Sequence, residues 1–222
     1  MTERCALYYA PSPDSALAAF AADWFGRDDT REITASPRHY GFHATLKPPF
    51  RFAEDHDLAK LKERLHAFAA KQAPVSVGVL RIDNLSGFLA LVPAAAPPEL
   101  GALAEACVSQ FDSFRAPASA AELAKRRGKG LSARQDELLQ RWGYPHVFEQ
   151  FRWHMTLTEK LPETERRVWQ AELDRRAAAA LEQPLIIEAL SIFRQPSGEQ
   201  PFVEIDRVPL TGRVSASAAT RA

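Results

Sequence analysis

The chain has 222 residues, enough for one large domain or two intimately packed lobes, and 46% of them are hydrophobic, which supplies a sizeable core and argues against disorder. With 28 basic and 28 acidic side chains the formal net charge is zero, so no global field recruits a long polynucleotide, and an anionic partner must be drawn by a local site. Two cysteines, Cys5 and Cys107, have neither metal-ligand spacing nor a disulfide framework, and no leader pattern or membrane-length apolar run is present; the expectation is a cytoplasmic protein with reduced thiols, no membrane partner and no cofactor.

In chain order, Cys5 to Ala10 reads as a first strand stopped by Pro11-Ser12-Pro13. Asp14 or Ser15 can cap the helix that follows, whose apolar face is Leu17, Phe20, Ala21 and Trp24 and whose end is Gly26. Residues 27 to 40 read as a polar connection. Lys47-Pro48-Pro49-Phe50 then forces an extended segment, because proline restricts the residue before it as well as itself. A helix over about 57–71 has Leu58, Leu61, Leu65 and Phe68 at helical spacing, and strands over 75–82 and 88–92 flank a hairpin turn at Asn84 to Gly87.

From Pro97-Pro98 the character changes. Three helices are predicted, one carrying Leu100, Leu103, Cys107 and Phe111, the others over 118–127 and 132–142. Between the last two lies the basic cluster Lys125-Arg126-Arg127-Gly128-Lys129-Gly130, readable as a solvated turn or as a phosphate-contacting lid. Further on come a helix over 163–181, a strand over 185–193, a turn at Pro196-Ser197-Gly198, a strand over 202–208, and a small polar tail over 213–222 expected to fray.

The chain contains one short pattern twice: His43-Ala44-Thr45-Leu46 and His154-Met155-Thr156-Leu157. On a strand, side chains at i and i+2 share a face, so each copy presents an imidazole and a hydroxyl on one side and a core residue on the other. A single copy is readable as a solvated strand face. The pair is more, because strand, helix and hairpin recur behind each motif at nearly the same offset, the sign of an internal duplication. Two imidazoles and two hydroxyls facing one cleft supply what a phosphodiester site needs without a metal: a proton acceptor, a proton donor, and donors to phosphoryl oxygens.

Around the motifs, Arg38 and Lys47 flank the first and Arg152 precedes the second, so each is placed to meet a phosphate or to be a plain surface charge. Tyr8 or Tyr9 can put a ring in the cleft or pack in the core. A metal site from His39, His43 and His154 is a weaker reading, since no Asp or Glu stands at ligand spacing in either motif.

Paired His-x-Thr-hydrophobic motifs, each followed by a helix and a hairpin, resemble the two-histidine phosphoesterase superfamily, which includes RNA-ligase-like cyclic phosphodiesterases. Tyr40 to Phe50, with Arg141-Trp142-Gly143-Tyr144-Pro145 ahead of Phe151-Arg152-Trp153-His154, is similar to a branch associated with phosphonate-degradation operons. The resemblance implies an α+β, two-lobed fold with pseudo-twofold symmetry, antiparallel sheets lining a central cleft and helices outside. In it a first lobe over about 30–96 and a second over about 143–212 are separated by a helical insertion over about 97–142. It implies that His43 and His154 are general base and acid, in an unassigned order, and that Thr45 and Thr156 hold the non-bridging oxygens. The substrate expected is a small cyclic phosphodiester, a cyclic phosphoribosyl compound foremost. The alternatives are a nucleoside 2′,3′-cyclic phosphate or RNA-ligase-type chemistry, and a phosphate- or nucleotide-binding module without turnover.

Overall fold

The computed structural model describes residues 3–128 and 130–213. Lys129 of the basic cluster, and all of the tail expected to fray except its first residue, lie outside the described residues. β1 (Arg4–Tyr9) is buried over all but its first residue, and α1 (Ala16–Gly26) is capped by Ser15, whose hydroxyl accepts from the Ala18 amide at 3.1 Å. The polar connection ends in an additional short helix, α2 (Ala35–Tyr40). Pro37 reads as a breaker but sits in the first turn, where an amide hydrogen has no intrahelical partner to lose. β2 (Ala44–Phe50) carries the first motif, and α3 (Leu58–Ala69) follows, capped by Asp57.

The single strand expected over 75–82 breaks at Val79 into β3 (Val75–Gly78) and β4 (Leu80–Leu85). β5 (Phe88–Pro93) closes a hairpin with β4 in which Leu85 pairs with Phe88; the loop residues Ser86 and Gly87 both have positive φ, the geometry of a tight two-residue turn. The insertion consists of α4 (Pro98–Gln110), α5 (Ala120–Arg127) and α6 (Ala133–Trp142). Ser119 with Glu122 and Ser132 with Gln135 form capping boxes on the last two. The second motif strand, β6 (Met155–Thr156), is only two residues long. After it come α7 (Glu163–Ala177), then β7 (Leu185–Ile187) and β8 (Ala189–Gln195), a break at the same point as in the first repeat, and β9 (Val203–Pro209).

The architecture is α+β and two-lobed. Among the described residues, seven strands form one antiparallel sheet in the order β4-β5-β6-β2-β1-β8-β9, and β3 pairs with β7 in a second. The two motif strands are neighbours at the centre. The hairpin following the first motif flanks the strand of the second, and the hairpin following the second lies on the other side, beyond β1. The helices cross over in the same way, α3 packing against β8 and β9 and α7 against β4 and β5. Each half of the sheet therefore draws on both repeats, rather than on residues 30–96 and 143–212 separately, and the pseudo-twofold axis passes between β2 and β6. One apolar core joins the elements: Leu46, Met155, Leu157, Trp24, Leu65 and Leu173 belong to it, and the Trp24 indole donates to the Leu157 carbonyl at 2.9 Å. Cys5 and Cys107 are fully buried, and burial raises each thiol to about 12. No helix among the described residues is long and apolar enough to cross a membrane.

Candidate active site

The register of the two central strands builds the site. Ala44 pairs with Met155, and both are fully buried on the core side. In an antiparallel pair, one step in either direction then sets His43 opposite Thr156 and Thr45 opposite His154, all four on the other face. The histidines are diagonal neighbours, a relation that spaces positions by roughly 7–8 Å. A phosphorus centre fits between two such groups.

Each imidazole is held in the same manner. His43 Nδ1 lies 2.8 Å from the Gly41 carbonyl and His154 Nδ1 lies 2.7 Å from the Arg152 carbonyl, in both cases two residues upstream. A carbonyl only accepts, so Nδ1 carries the hydrogen, and Nε2 of the neutral ring keeps its lone pair. Gly41 makes this possible on the first side: its φ of +76° disfavours a side chain, and a Cβ there would meet Phe193 at 3.2 Å.

The two sides differ in what surrounds them. Tyr8 stacks on His43 with ring centroids 3.7 Å apart, and Thr45 Oγ1 donates to His43 Nε2 at 3.2 Å. Among the described residues, the ring against His154 is that of Phe88, tilted and 5.8 Å away. Burial drives the His43 pKa down to about 4, against the pull of the Gly41 carbonyl and with help from the nearby His154. Burial also lowers His154, opposed by the Arg152 carbonyl. In the free protein both rings are therefore neutral at neutral pH, whereas a base and an acid at work together need one neutral and one charged. The neutrality comes from desolvation, which a sequence does not display.

Thr45 and His154 line a cavity of about 560 Å³ that also takes in Arg152, Lys160, Tyr144 and Gln135. His43 is not part of that lining and reaches it through Thr45, whose hydroxyl it meets. Thr156, opposite His43 on the sheet, is partly exposed. Arg152 is the one flanking cation from the sequence reading that reaches the cavity wall.

The other three nominated residues are elsewhere engaged. Tyr8 is 1% exposed and supports the His43 ring from below, so it does not stack on a substrate. Lys47 is 1% exposed, its ammonium bonded to the Val108 carbonyl at 3.1 Å and to Asp112 at 3.3 Å; burial pulls it down to about 8 against the attraction of Asp112. Arg38 ties Thr34 and the Arg27 carbonyl together, both at 2.8 Å. Arg38 and Lys47 lie close to the first motif in sequence, but the fold of α2 and a bulge on β2 turn them toward internal partners, and the β1–β2 register places Tyr8 beside Thr45. His39 is bonded to Gln195 at 2.9 Å, and no three His, Cys, Asp or Glu side chains converge among the described residues.

Sequence reasoning missed Lys160, Tyr144 and Gln135. Lys160 lies four residues past Thr156, Gln135 comes from the insertion with no motif to mark it, and Tyr144 stands in the Arg141 to Pro145 stretch, which carries the family resemblance but assigns it no role. Phe148, on the same wall, has φ +53°, a conformation uncommon for a bulky residue.

Adjacent antiparallel motif strands and their interleaved hairpins define a fold that solved structures share. Solved structures similar to it include TT0787 of Thermus thermophilus, at 13% identity over 95% of this chain and 100% of that one, with a TM-score of 0.50. Another is E. coli LigT complexed with 3'-AMP, at 16% identity over 95% and 99%, with a TM-score of 0.48. Likeness at these identities concerns the fold alone. A family model described as "Protein of unknown function (DUF1045)" matches residues 45–203, and the chain belongs to that family. A Janthinobacterium sp. (strain Marseille) protein named ribose 1,5-bisphosphate phosphokinase PhnN is 40% identical over 232 residues, 95% of this chain and 51% of that protein. A protein of the same name from Laribacter hongkongensis is 35% identical over 215 residues, 90% and 50% of the two. The chain thus spans about half the length of these curated relatives.

Proposed function

We propose that the protein is a phosphoesterase that hydrolyses a small cyclic phosphodiester by acid–base catalysis at His43 and His154. The observation carrying this reading is the pairing of Ala44 with Met155, with both Nδ1 atoms tied to backbone carbonyls, so that each Nε2 is the nitrogen turned to proton transfer, that of His43 meeting the Thr45 hydroxyl in the free protein. His43, sealed by Tyr8 and strongly biased to its neutral form, suits the base. Its Nε2 takes a proton from water as the water oxygen bonds to phosphorus. The bond from phosphorus to the ring oxygen breaks, and His154 Nε2 delivers a proton to that oxygen, leaving a phosphate monoester and a free hydroxyl. The bound anion raises the His154 pKa and keeps it charged for this step. Thr45 and Thr156 donate to the non-bridging oxygens as charge builds on them.

The relatives' name supports a sugar phosphate substrate. Hydrolytic opening of a cyclic 1,2-phosphodiester of ribose 5-phosphate, with the phosphate left on O1, yields ribose 1,5-bisphosphate, the compound in that name. We infer a role in phosphonate breakdown on this ground. Phosphorus NMR of the full chain with a panel of cyclic phosphodiesters, with and without EDTA, tests the reading. The expected result is conversion of a cyclic resonance to a monoester resonance. No conversion of any member would favour a non-catalytic phosphate-binding module, and conversion abolished by EDTA would favour a metal site.

A further inference from the structure

Beyond the cleft, a recess of about 50 Å³ is lined by Arg4, Arg51, Arg115 and Arg126, with Glu122 as its one carboxylate. At roughly 10–15 Å³ for each water held, this is room for three to five waters, the bulk of one phosphate group. The guanidiniums are not matched by acids. Arg51 bonds Glu122 at 3.0 Å, and Arg115 is paired with Asp112, which Lys47 already shares. Arg4 Nε donates only to the neutral amide oxygen of Gln195, at 2.8 Å, and Arg126 lies over the Tyr144 ring, 5.0 Å from its centroid. Among the described residues neither Arg4 nor Arg126 makes an ion pair. Four arginines lining a small space, two of them without an ion pair, make it suited to an anion, and their planar forks suit phosphate oxygens.

The recess adjoins the reaction centre. Gly143 lines it, while the next residue, Tyr144, lines the cleft. Gly143 is required there: it ends α6 with φ +75°, and a Cβ would stand 3.0 Å from the Arg115 side chain. Along β1, Arg4 is four residues from Tyr8, the partner of Thr45, a separation of about 13 Å between backbone positions.

We propose that this recess binds a second anionic group of the substrate, a terminal phosphate monoester, so that the cyclic diester is presented to His43 and His154 by a molecule anchored at its far end. The assignment rests on the phosphodiester reading of the cleft and narrows the substrate class to phosphorylated sugars and nucleotides. It also gives Arg126, from the basic cluster, a phosphate-contacting role.

Isothermal titration calorimetry of the full chain with ribose 5-phosphate, with unphosphorylated ribose as control, tests it. Wild type should bind the phosphorylated sugar alone, Arg126→Gln should weaken binding about tenfold or more, and His43→Ala should leave it within about threefold. The Arg126 side chain is partly exposed and makes no hydrogen bond among the described residues, so its replacement removes only its contact with the Tyr144 ring. The proposal is overturned by no binding to wild type, by equal binding to Arg126→Gln, or by a loss at His43→Ala as large as that at Arg126→Gln, which would seat the ligand in the cleft. Turnover of cyclic diesters is read in a separate assay, so the cleft and the recess fail independently.

Discussion

Lowering the pH from 7.5 to 4.5 destabilises the protein through His43, by an amount the structure sets. In the unfolded chain this imidazole titrates near 6.5, and in the folded protein burial holds it at about 4. Between those values the unfolded state binds a proton that the folded state refuses, so the stability present above about pH 6.5 is lost as pH falls and the loss levels off below about 4. One pKa unit corresponds to about 1.4 kcal/mol, so the two units crossed by pH 4.5 cost roughly 2–3 kcal/mol. Urea unfolding of wild type and His43→Asn at half-unit pH steps isolates the contribution, because every other group, including the ion-paired Asp112 and Glu122, titrates in both proteins. Wild type should show the extra slope between pH 6.5 and 4.5, and His43→Asn should lack it. Parallel curves would mean that His43 is not held neutral by its surroundings, and the assignment of His43 as base would lose its foundation.

The same two imidazoles set the pH dependence of turnover. Since kcat/KM reports the free enzyme, it should be bell-shaped with its optimum on the acid side of 6.5, falling toward pH 4 as His43 gains a proton and falling at higher pH as His154 loses one; a maximum above pH 7.5 would contradict both assignments. Thr45→Val and Thr156→Val each remove a hydroxyl donor to a charged oxygen, about 1.5–3 kcal/mol, and should lower kcat/KM by roughly 10- to 150-fold without abolishing it, as initial-rate measurements will tell. Lys47→Met should change stability by no more than about 1 kcal/mol, because relief from burying the ammonium offsets the lost bonds and Asp112 keeps Arg115. Asp112→Asn, which strands the buried ammonium, should cost about 3–5 kcal/mol, and the reverse order in urea unfolding would refute this account of the pair.

Much of this site is legible in one dimension. The period of two along His43-Ala44-Thr45-Leu46 and its recurrence at His154 predicts which side chains share a face, and the buried partners Ala44 and Met155 bear that out. Ser15, Asn84 to Gly87 and the capping residues act within a few positions, so their roles are local and readable. What escaped was non-local. Whether Lys47 meets substrate or a carboxylate depends on Asp112, 65 positions away, and whether Tyr8 faces the cleft or supports His43 depends on the β1–β2 register. The exchange of hairpins between repeats is a matter of topology to which hydrophobic periodicity is blind. The break at Val79 and Gly78 hid in a run of good strand formers, and only its twin at Glu188 in the second repeat, between β7 and β8, marks it as a feature of the fold.

The central claim is that one catalytic unit is shared between the two motif strands, with a proton carrier on each. Its most direct test is single-turnover phosphorus NMR on the preferred cyclic phosphodiester with wild type, His43→Ala and His154→Ala, each checked for wild-type folding by circular dichroism. Each substitution should slow ring opening about 100- to 10,000-fold, and the double variant should be little slower than the worse single one, because the two groups act in one step. Ring opening that survives either substitution at more than about a tenth of the wild-type rate would contradict the account.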